Sequence, residues 1–129
     1  MEFTLKTKIK ATAKQIYKSW LSTQGHTKMT GNTAFISDRV GDKFTVGDGF
    51  IKGDNLVLEP YSRIVQSWRS TDFKDDEEDS QIEITLLEAD DETELTLTHR
   101  NVPEEGTYYI EGWEEHYFQP MKKYFEYIN

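Results

Sequence analysis

The C-terminal segment, residues 107–129, constrains the fold more than any other part of the chain, because its apolar face is unusually wide. It holds nearly half of the chain's Trp, Tyr and Phe residues. An ordinary surface helix needs an apolar face of about 100°, and this face covers nearer half a turn. A flat sheet would leave part of it in water, so we expect a curved sheet, a ligand or a partner to cover it. At helical spacing the stripe comprises Tyr109, Ile110, Trp113, Tyr117, Pro120, Met121, Tyr124 and Ile128, and Phe118 and Phe125 widen it along one side.

The bulk properties indicate a single cytoplasmic domain spanning residues 1–129. The N-terminus has no features of a secretory signal, and no apolar run approaches a membrane span. The chain has no cysteine, which excludes disulfides and thiolate chemistry. A net charge of −9 argues against nucleic acid or an anionic membrane as a partner. The acidic run 72–79 lacks the pattern of a calcium loop and predicts a solvated, extended and mobile hairpin loop.

The order of the predicted elements indicates an α+β fold. Alternation of Phe3, Leu5 and Ile9 with polar residues predicts an N-terminal strand. Thr12 and Gln15 have the spacing of a capping box and predict a helix, and the polar piece 22–30 predicts one or two further helical turns. Strands concentrated in the middle, with helices at both ends, place the helices on one face of an antiparallel meander. The six later strands are predicted at 33–37, 43–46, 49–59, 63–70, 80–88 and 94–100.

Motifs for catalysis, metal binding or phosphate binding are absent from the sequence. The three histidines, His26, His99 and His116, have no metal-ligand spacing. Period-two alternation places His99 on the same face as Leu95 and Leu97, toward the helix. We expect a hydrogen-bonded histidine at a strand end, with a polar anchor in a pocket as the alternative. His116 is expected at the rim of the stripe. The sequence therefore predicts no catalytic set, no metal and no cofactor.

An ordered set of short motifs resembles a known family. The set is Gly41-Asp-Lys-Phe44, Gly49-Phe-Ile-Lys-Gly53, Leu58-Glu-Pro60, Arg63-Ile-Val-Gln-Ser-Trp-Arg69, Thr93-Glu-Leu-Thr-Leu-Thr-His99 and Gly112-Trp113. It resembles the activator of heat-shock protein 90 ATPase homologue family, within the helix-grip superfamily of START and birch-pollen-allergen-like domains. The ending is most similar to the C-terminal domain of the eukaryotic co-chaperone.

The resemblance implies a curved antiparallel seven-stranded sheet wrapped around a long C-terminal helix, with a cavity between them. It implies no catalytic set. The eukaryotic co-chaperone has a separate N-terminal domain that contributes to chaperone stimulation, whereas this sequence begins at the first strand of the grip fold. We therefore expect the chain to lack ATPase activation. Pro120 removes one helical hydrogen bond and is expected to kink the terminal helix.

Three functions are compatible with these features. The first is a non-enzymatic module that holds a small hydrophobic or amphipathic ligand between sheet and helix. The second is a co-chaperone-like interaction module of the stress response, with a chaperone as partner. The third is a cyclase- or aromatase-like enzyme that uses His99. The chain could act as a monomer or a homodimer. The residues expected to line the ligand site are Phe44, Trp68, Ile84, His99, Trp113, Tyr117 and Met121.

Overall fold

The chain forms one seven-stranded antiparallel sheet whose concave face packs on helices. The computed structural model describes all residues, 1–129. The strands are β1 Phe3–Ile9, β2 Ala34–Phe35, β3 Lys43–Val46, β4 Ile51–Glu59, β5 Arg63–Ser70, β6 Ser80–Ala89 and β7 Glu92–Arg100. The helices are α1 Ala13–Trp20, α2 Thr23–Thr30, α3 Tyr108–Trp113 and α4 Gln119–Ile128, with a π-helical turn, Glu114–Phe118, between the last two. No helix is both long enough and apolar enough to cross a bilayer.

The strand order confirms the predicted antiparallel meander. It runs β1-β7-β6-β5-β4-β3-β2, so consecutive strands from β2 to β7 are neighbours and the N-terminal strand joins the far edge beside β7. Leu5 lies opposite Leu97 in this last pair. Two predicted strands are too long. Only Ala34–Phe35 pairs within the predicted 33–37, and β4 begins at Ile51 because Asp48 and Gly49 form a turn with positive φ.

The core lies between the concave face of the sheet and the helices, as one cluster of 27 buried residues. Strand β7 shows how the sequence directs side chains into this core, because its buried and partly exposed residues alternate from end to end. Helix α1 starts with the predicted capping box. The backbone N–H of Gln15 donates to Thr12 Oγ1 at 3.0 Å, and the N–H of Thr12 donates to Gln15 Oε1 at 3.0 Å. The predicted turns at 22–30 form α2, which ends at the left-handed Gly31.

The terminal helix is not a regular α-helix, and this changes which residues it buries. In the π-helical turn the N–H of Gln119 donates to the carbonyl of Glu114, five residues back. The turn lies directly before Pro120, where the sequence predicts a kink. One extra residue in a turn rotates everything that follows by about 100°. Phe118 and Phe125, which the sequence predicts along one side of the stripe, are fully buried in the core.

The predicted stripe is wrong at its two ends. Ile110 is 36% exposed and Ile128 is 47% exposed. Ile128 lies beyond the π-helical turn, whose rotation moves it away from the sheet. The buried line instead runs through Tyr109, Trp113, Tyr117, Phe118, Met121 and Phe125.

The acidic run 72–79 forms the loop of the β5–β6 hairpin and is mostly exposed, as predicted, but it is held against Arg69 and is not extended. Arg69 donates hydrogen bonds to the carbonyl oxygens of Glu77 at 2.6 Å and Lys74 at 2.7 Å. Phe73, inside the run, is buried in the core. One guanidinium and one aromatic anchor thus offset the repulsion between the carboxylates.

Candidate functional site

An apolar cleft of about 210 Å³ lies between one end of the sheet and the first half of the terminal helix. The β3–β4 turn and the start of β4 form one wall, β5 forms the floor, and α3 with the π-helical turn forms the other wall. Most of the lining side chains are apolar or aromatic. The lining residues are Asn32, Val46, Gly47, Phe50, Ile51, Trp68, Tyr109, Gly112, Trp113, His116 and Tyr117.

The seven residues predicted for the ligand site separate into two groups. Trp68, Trp113 and Tyr117 line the cleft. The other four, Phe44, Ile84, His99 and Met121, are buried in the core and do not line it. His116 is exposed at the mouth of the cleft, at the rim position expected for it.

Several lining residues were outside the sequence-based prediction. Phe50 and Ile51 follow the Gly47-Asp48-Gly49 turn, and the conformation of that turn decides which way they point. Gly112 and Tyr109 lie on the helix within one turn of Trp113. Tyr109 lies four residues before Trp113 and three before Gly112, and this helical spacing is a signal that identifies them as neighbours of the site.

The rings behind the cleft form a continuous aromatic wall. The Trp68 ring centroid lies 5.1 Å from that of Tyr109, at an interplanar angle of 86°. The centroids of Trp68 and Trp113 are 5.8 Å apart, and those of Trp113 and Tyr117 are 4.9 Å apart. The Tyr109 hydroxyl is hydrogen-bonded to the Ser70 hydroxyl. Such contacts hold the wall rigid, so the shape of the cleft is preformed.

His99 fixes Trp113 from behind. The indole N–H of Trp113 donates to His99 Nδ1 at 3.1 Å. Since Nδ1 accepts, Nε2 carries the proton and donates to Ser80 Oγ at 2.9 Å, and Ser80 donates to the Trp68 carbonyl at 2.6 Å. Burial lowers the pKa of His99 to about 3. The expectation of a hydrogen-bonded histidine agrees with this geometry, and neither ring nitrogen is left for a substrate.

His26 fixes Tyr117 in the same way. Its Nδ1 lies 2.8 Å from the Trp20 carbonyl oxygen, which can only accept, so Nδ1 carries the proton. Its Nε2 therefore accepts from the Tyr117 hydroxyl at 2.8 Å. Burial lowers the pKa of His26 to about 4 and raises that of Tyr117 above its usual range. The sequence does not reveal this pair, because α2 is short and polar and the partner lies on a distant helix.

The electrostatic environment of the cleft is acidic. No lysine or arginine is among its lining residues. Among the chain neighbours of lining residues, Asp48, Glu111 and Glu115 are exposed acids on both walls. Lys52, which follows Ile51, is an exposed base, but alternation along β4 places it on the opposite face of the sheet. Together with the net charge of −9, these carboxylates favour a neutral or basic occupant over an acidic one.

A curved antiparallel sheet closed around a C-terminal helix, with a cleft at the helix's first half, defines the helix-grip class of protein. The sequence profile described as "Activator of Hsp90 ATPase homolog 1-like protein" matches residues 10–126. The chain therefore belongs to this family.

Curated relatives agree with the family assignment, and solved structures agree with the fold. The human "Activator of 90 kDa heat shock protein ATPase homolog 1" is 28% identical over 129 residues, which cover 98% of this chain but 37% of the relative. The chain thus spans little more than a third of that relative. The Hsp90 activator PFC0360w from Plasmodium falciparum superposes with a TM-score of 0.73 at 23% identity, covering 80% of this chain and 74% of that one. The Aha1 dimer from Colwellia psychrerythraea gives a TM-score of 0.81 at 18% identity, covering 98% and 96%.

Proposed function

We propose that this chain is a protein-interaction domain of the co-chaperone kind, which binds a 90 kDa heat-shock protein. The observation that carries the proposal is the match to the human activator over 98% of the chain, at 28% identity. The acidic surface and the preformed cleft are compatible with a protein partner. A co-chaperone of this kind would act in the stress response.

The size of the cleft argues against a free ligand of drug size. Sites that enclose a drug-sized ligand measure about 300–1,000 Å³. The cleft measures about 210 Å³, which suits a ring-sized group. A side chain that belongs to a larger partner has this size, and its remaining contacts can lie on the surrounding surface.

Calorimetric titration against the 90 kDa heat-shock protein of the organism that encodes the chain tests the proposal. We expect a saturable complex and a change in the chaperone's rate of ATP hydrolysis. Phe50→Ala, which alters a 41% exposed residue of the cleft, should weaken the complex. Leu87→Ala, at a 68% exposed position on β6, is the matched control and should not. An unchanged hydrolysis rate without a detectable complex would refute the proposal.

A second candidate function is the binding of a small hydrophobic or amphipathic ligand between sheet and helix. The aromatic lining of the cleft favours it, with Trp68, Trp113 and Tyr117 as contacts. Native mass spectrometry of freshly purified protein is the test, because a bound small molecule adds a mass that disappears on denaturation. The same spectrum distinguishes a monomer from a homodimer. The Colwellia protein is described as a dimer, so a homodimer is a specific expectation.

A further inference from the structure

The structural reasons that explain why the other positions are glycine do not apply at Gly112. Of the eight glycines, four have a positive φ that favours glycine: Gly31, Gly41, Gly47 and Gly49. At three more, Gly25, Gly53 and Gly106, an added Cβ would lie 3.0 Å or less from a neighbouring atom. At Gly112 an added Cβ would have no atom within 4 Å beyond its own stretch of helix.

A glycine in the interior of a helix is unfavourable relative to alanine, because it loses more backbone freedom on folding. Gly112 lies inside α3, and nothing within the folded chain requires it. It does line the cleft. A methyl group here would therefore occupy open space beside the cleft without disturbing the core. The glycine leaves the helix backbone accessible to an occupant.

Trp68 offers this occupant a hydrogen bond. The other two tryptophans use their indole N–H groups internally, Trp20 toward Gln66 and Trp113 toward His99. Trp68 donates no such bond. The only fully enclosed side-chain polar atom without a partner is Thr7 Oγ1, so the Trp68 Nε1 keeps some accessible surface although the residue is buried. Because Trp68 lines the cleft, its N–H is a free donor for a carbonyl oxygen.

Volume and charge restrict the occupant further. A cavity of about 150 Å³ holds a benzene ring, so about 210 Å³ holds one large apolar side chain with room for adjoining backbone. The exposed carboxylates of Asp48, Glu111 and Glu115 beside the cleft favour basic residues on either side of that side chain.

We infer that the cleft anchors one large apolar side chain from an extended, basic segment of a partner protein. The side chain lies against the helix at Gly112, and a backbone carbonyl of the segment accepts the hydrogen bond of the Trp68 N–H. This inference rests on the proposed function as a protein-interaction domain. It makes Gly112 the residue that determines which side chains the cleft admits.

The first test is ¹H–¹⁵N NMR with three short peptides: acetyl-Lys-Lys-Phe-Lys-Lys-amide, the same peptide with Ala in place of Phe, and the same peptide with Glu in place of every Lys. The lysine–phenylalanine peptide should shift the Gly112 amide and the Trp68 indole resonances in a saturable manner. The Trp20 indole, which is buried and bonded to Gln66, is the internal control and should not move. The alanine and glutamate peptides should bind at least tenfold more weakly.

The second test is Gly112→Ala, which separates folding from binding. Its melting temperature should rise by about 2–5 °C, while its affinity for the lysine–phenylalanine peptide falls at least tenfold. Trp68→Phe keeps an aromatic side chain, although a smaller one, and removes the N–H, so it should weaken binding of the peptide several-fold. Unchanged affinity in Gly112→Ala would overturn the inference.

Three further outcomes are decisive. Suppose that toluene or indole binds as tightly as the lysine–phenylalanine peptide, and that the charge of the peptide makes no difference to its affinity. The occupant is then a small molecule and the inference is wrong. If the peptide binds as expected but the 90 kDa heat-shock protein does not, the anchor site stands and the proposed function fails. If the chaperone binds wild type and Gly112→Ala equally, the proposed function stands and the anchor site fails.

Discussion

Thr7 holds the only fully enclosed side-chain polar atom of the molecule that lacks a hydrogen-bond partner. Its side chain is buried on β1, and its Oγ1 has no hydrogen-bond partner. Thr7→Val replaces the hydroxyl with a methyl group of similar size and removes the desolvation cost. We expect the free energy of unfolding to rise by about 1 kcal/mol, measured by urea denaturation with an unchanged slope.

Thr93 provides the matched control for this substitution. It is also a buried strand threonine, but its Oγ1 donates to the Ala11 carbonyl at 2.7 Å. Thr93→Val should lower the free energy of unfolding by about 1–2 kcal/mol. If the two substitutions had the same sign, the hydrogen-bond assignment at one of the two sites would be wrong.

The two buried histidines make stability depend on pH. In the unfolded chain both titrate near pH 6.5, whereas burial lowers the pKa of His26 to about 4 and that of His99 to about 3. The unfolded state therefore binds more protons as the pH falls below 6.5. The free energy of unfolding should be constant with respect to these groups above pH 7. It should fall between pH 6.5 and pH 5, with a slope that approaches about 1.4 kcal/mol per pH unit for each histidine.

Urea denaturation at a series of pH values measures this slope directly. His26→Gln should reduce this slope by the contribution of one histidine, whatever the substitution does to the free energy of unfolding at neutral pH. A wild-type slope near zero between pH 6.5 and pH 5 would contradict the neutral, hydrogen-bonded state of both rings.

At the level of elements, the terminal helix accommodates Pro120 through the π-helical turn that precedes it. A proline inside a regular helix costs about 3 kcal/mol. Here the helix already departs from α-geometry directly before Pro120, so the ring meets a widened turn. We expect Pro120→Ala to change the free energy of unfolding by less than about 1 kcal/mol, measured by chemical denaturation.

Lys123 supplies the comparison, because it is exposed in the regular part of α4. Lys123→Pro should cost about 3 kcal/mol or more. A gain of about 2 kcal/mol or more from Pro120→Ala would show that the proline is strained, and that the turn does not accommodate it.

The sequence predicts an element well where interactions between residues close in the chain determine it. The capping box at Thr12 and Gln15 marks the start of α1, and alternation marks β7. The π-helical turn has no such signal beyond Pro120, and a regular helical wheel therefore misplaces Ile128. Strand ends such as that of β4 depend on which residues adopt positive φ, and Asp48 does so only in the context of its turn.

At the level of the whole molecule, the sequence predicts the helix-grip fold but only part of the candidate site. Trp68, Trp113 and Tyr117 are large and lie on the predicted inner faces, so they can be placed near a cavity. Periodicity does not distinguish a core position from a lining position, which is why Phe44, Ile84 and Met121 were expected at the site. The difference depends on the gap between the β3–β4 turn and the helix, which forms only in three dimensions.

The net charge of −9 makes salt dependence a test of the proposed interaction. Raising the salt concentration from about 50 to about 500 mM should weaken the complex with the chaperone and slow its formation, because charges more than a Debye length apart become screened. The double variant Glu111→Gln/Glu115→Gln should bind more weakly and show a smaller salt dependence. Glu126→Gln, at an exposed position near the other end of the terminal helix, is the control. Equal salt dependence in all three proteins would show that the carboxylates of Glu111 and Glu115 beside the cleft do not contribute to the interaction.

The most direct test of the central claim compares wild type with Gly112→Ala, in both thermal stability and affinity for the 90 kDa heat-shock protein. The claim is that the open helix backbone at Gly112 serves a partner and not the fold. We predict that the variant melts at a higher temperature and binds the chaperone at least tenfold more weakly. A variant that is less stable, or that binds the chaperone as tightly as wild type, would contradict it.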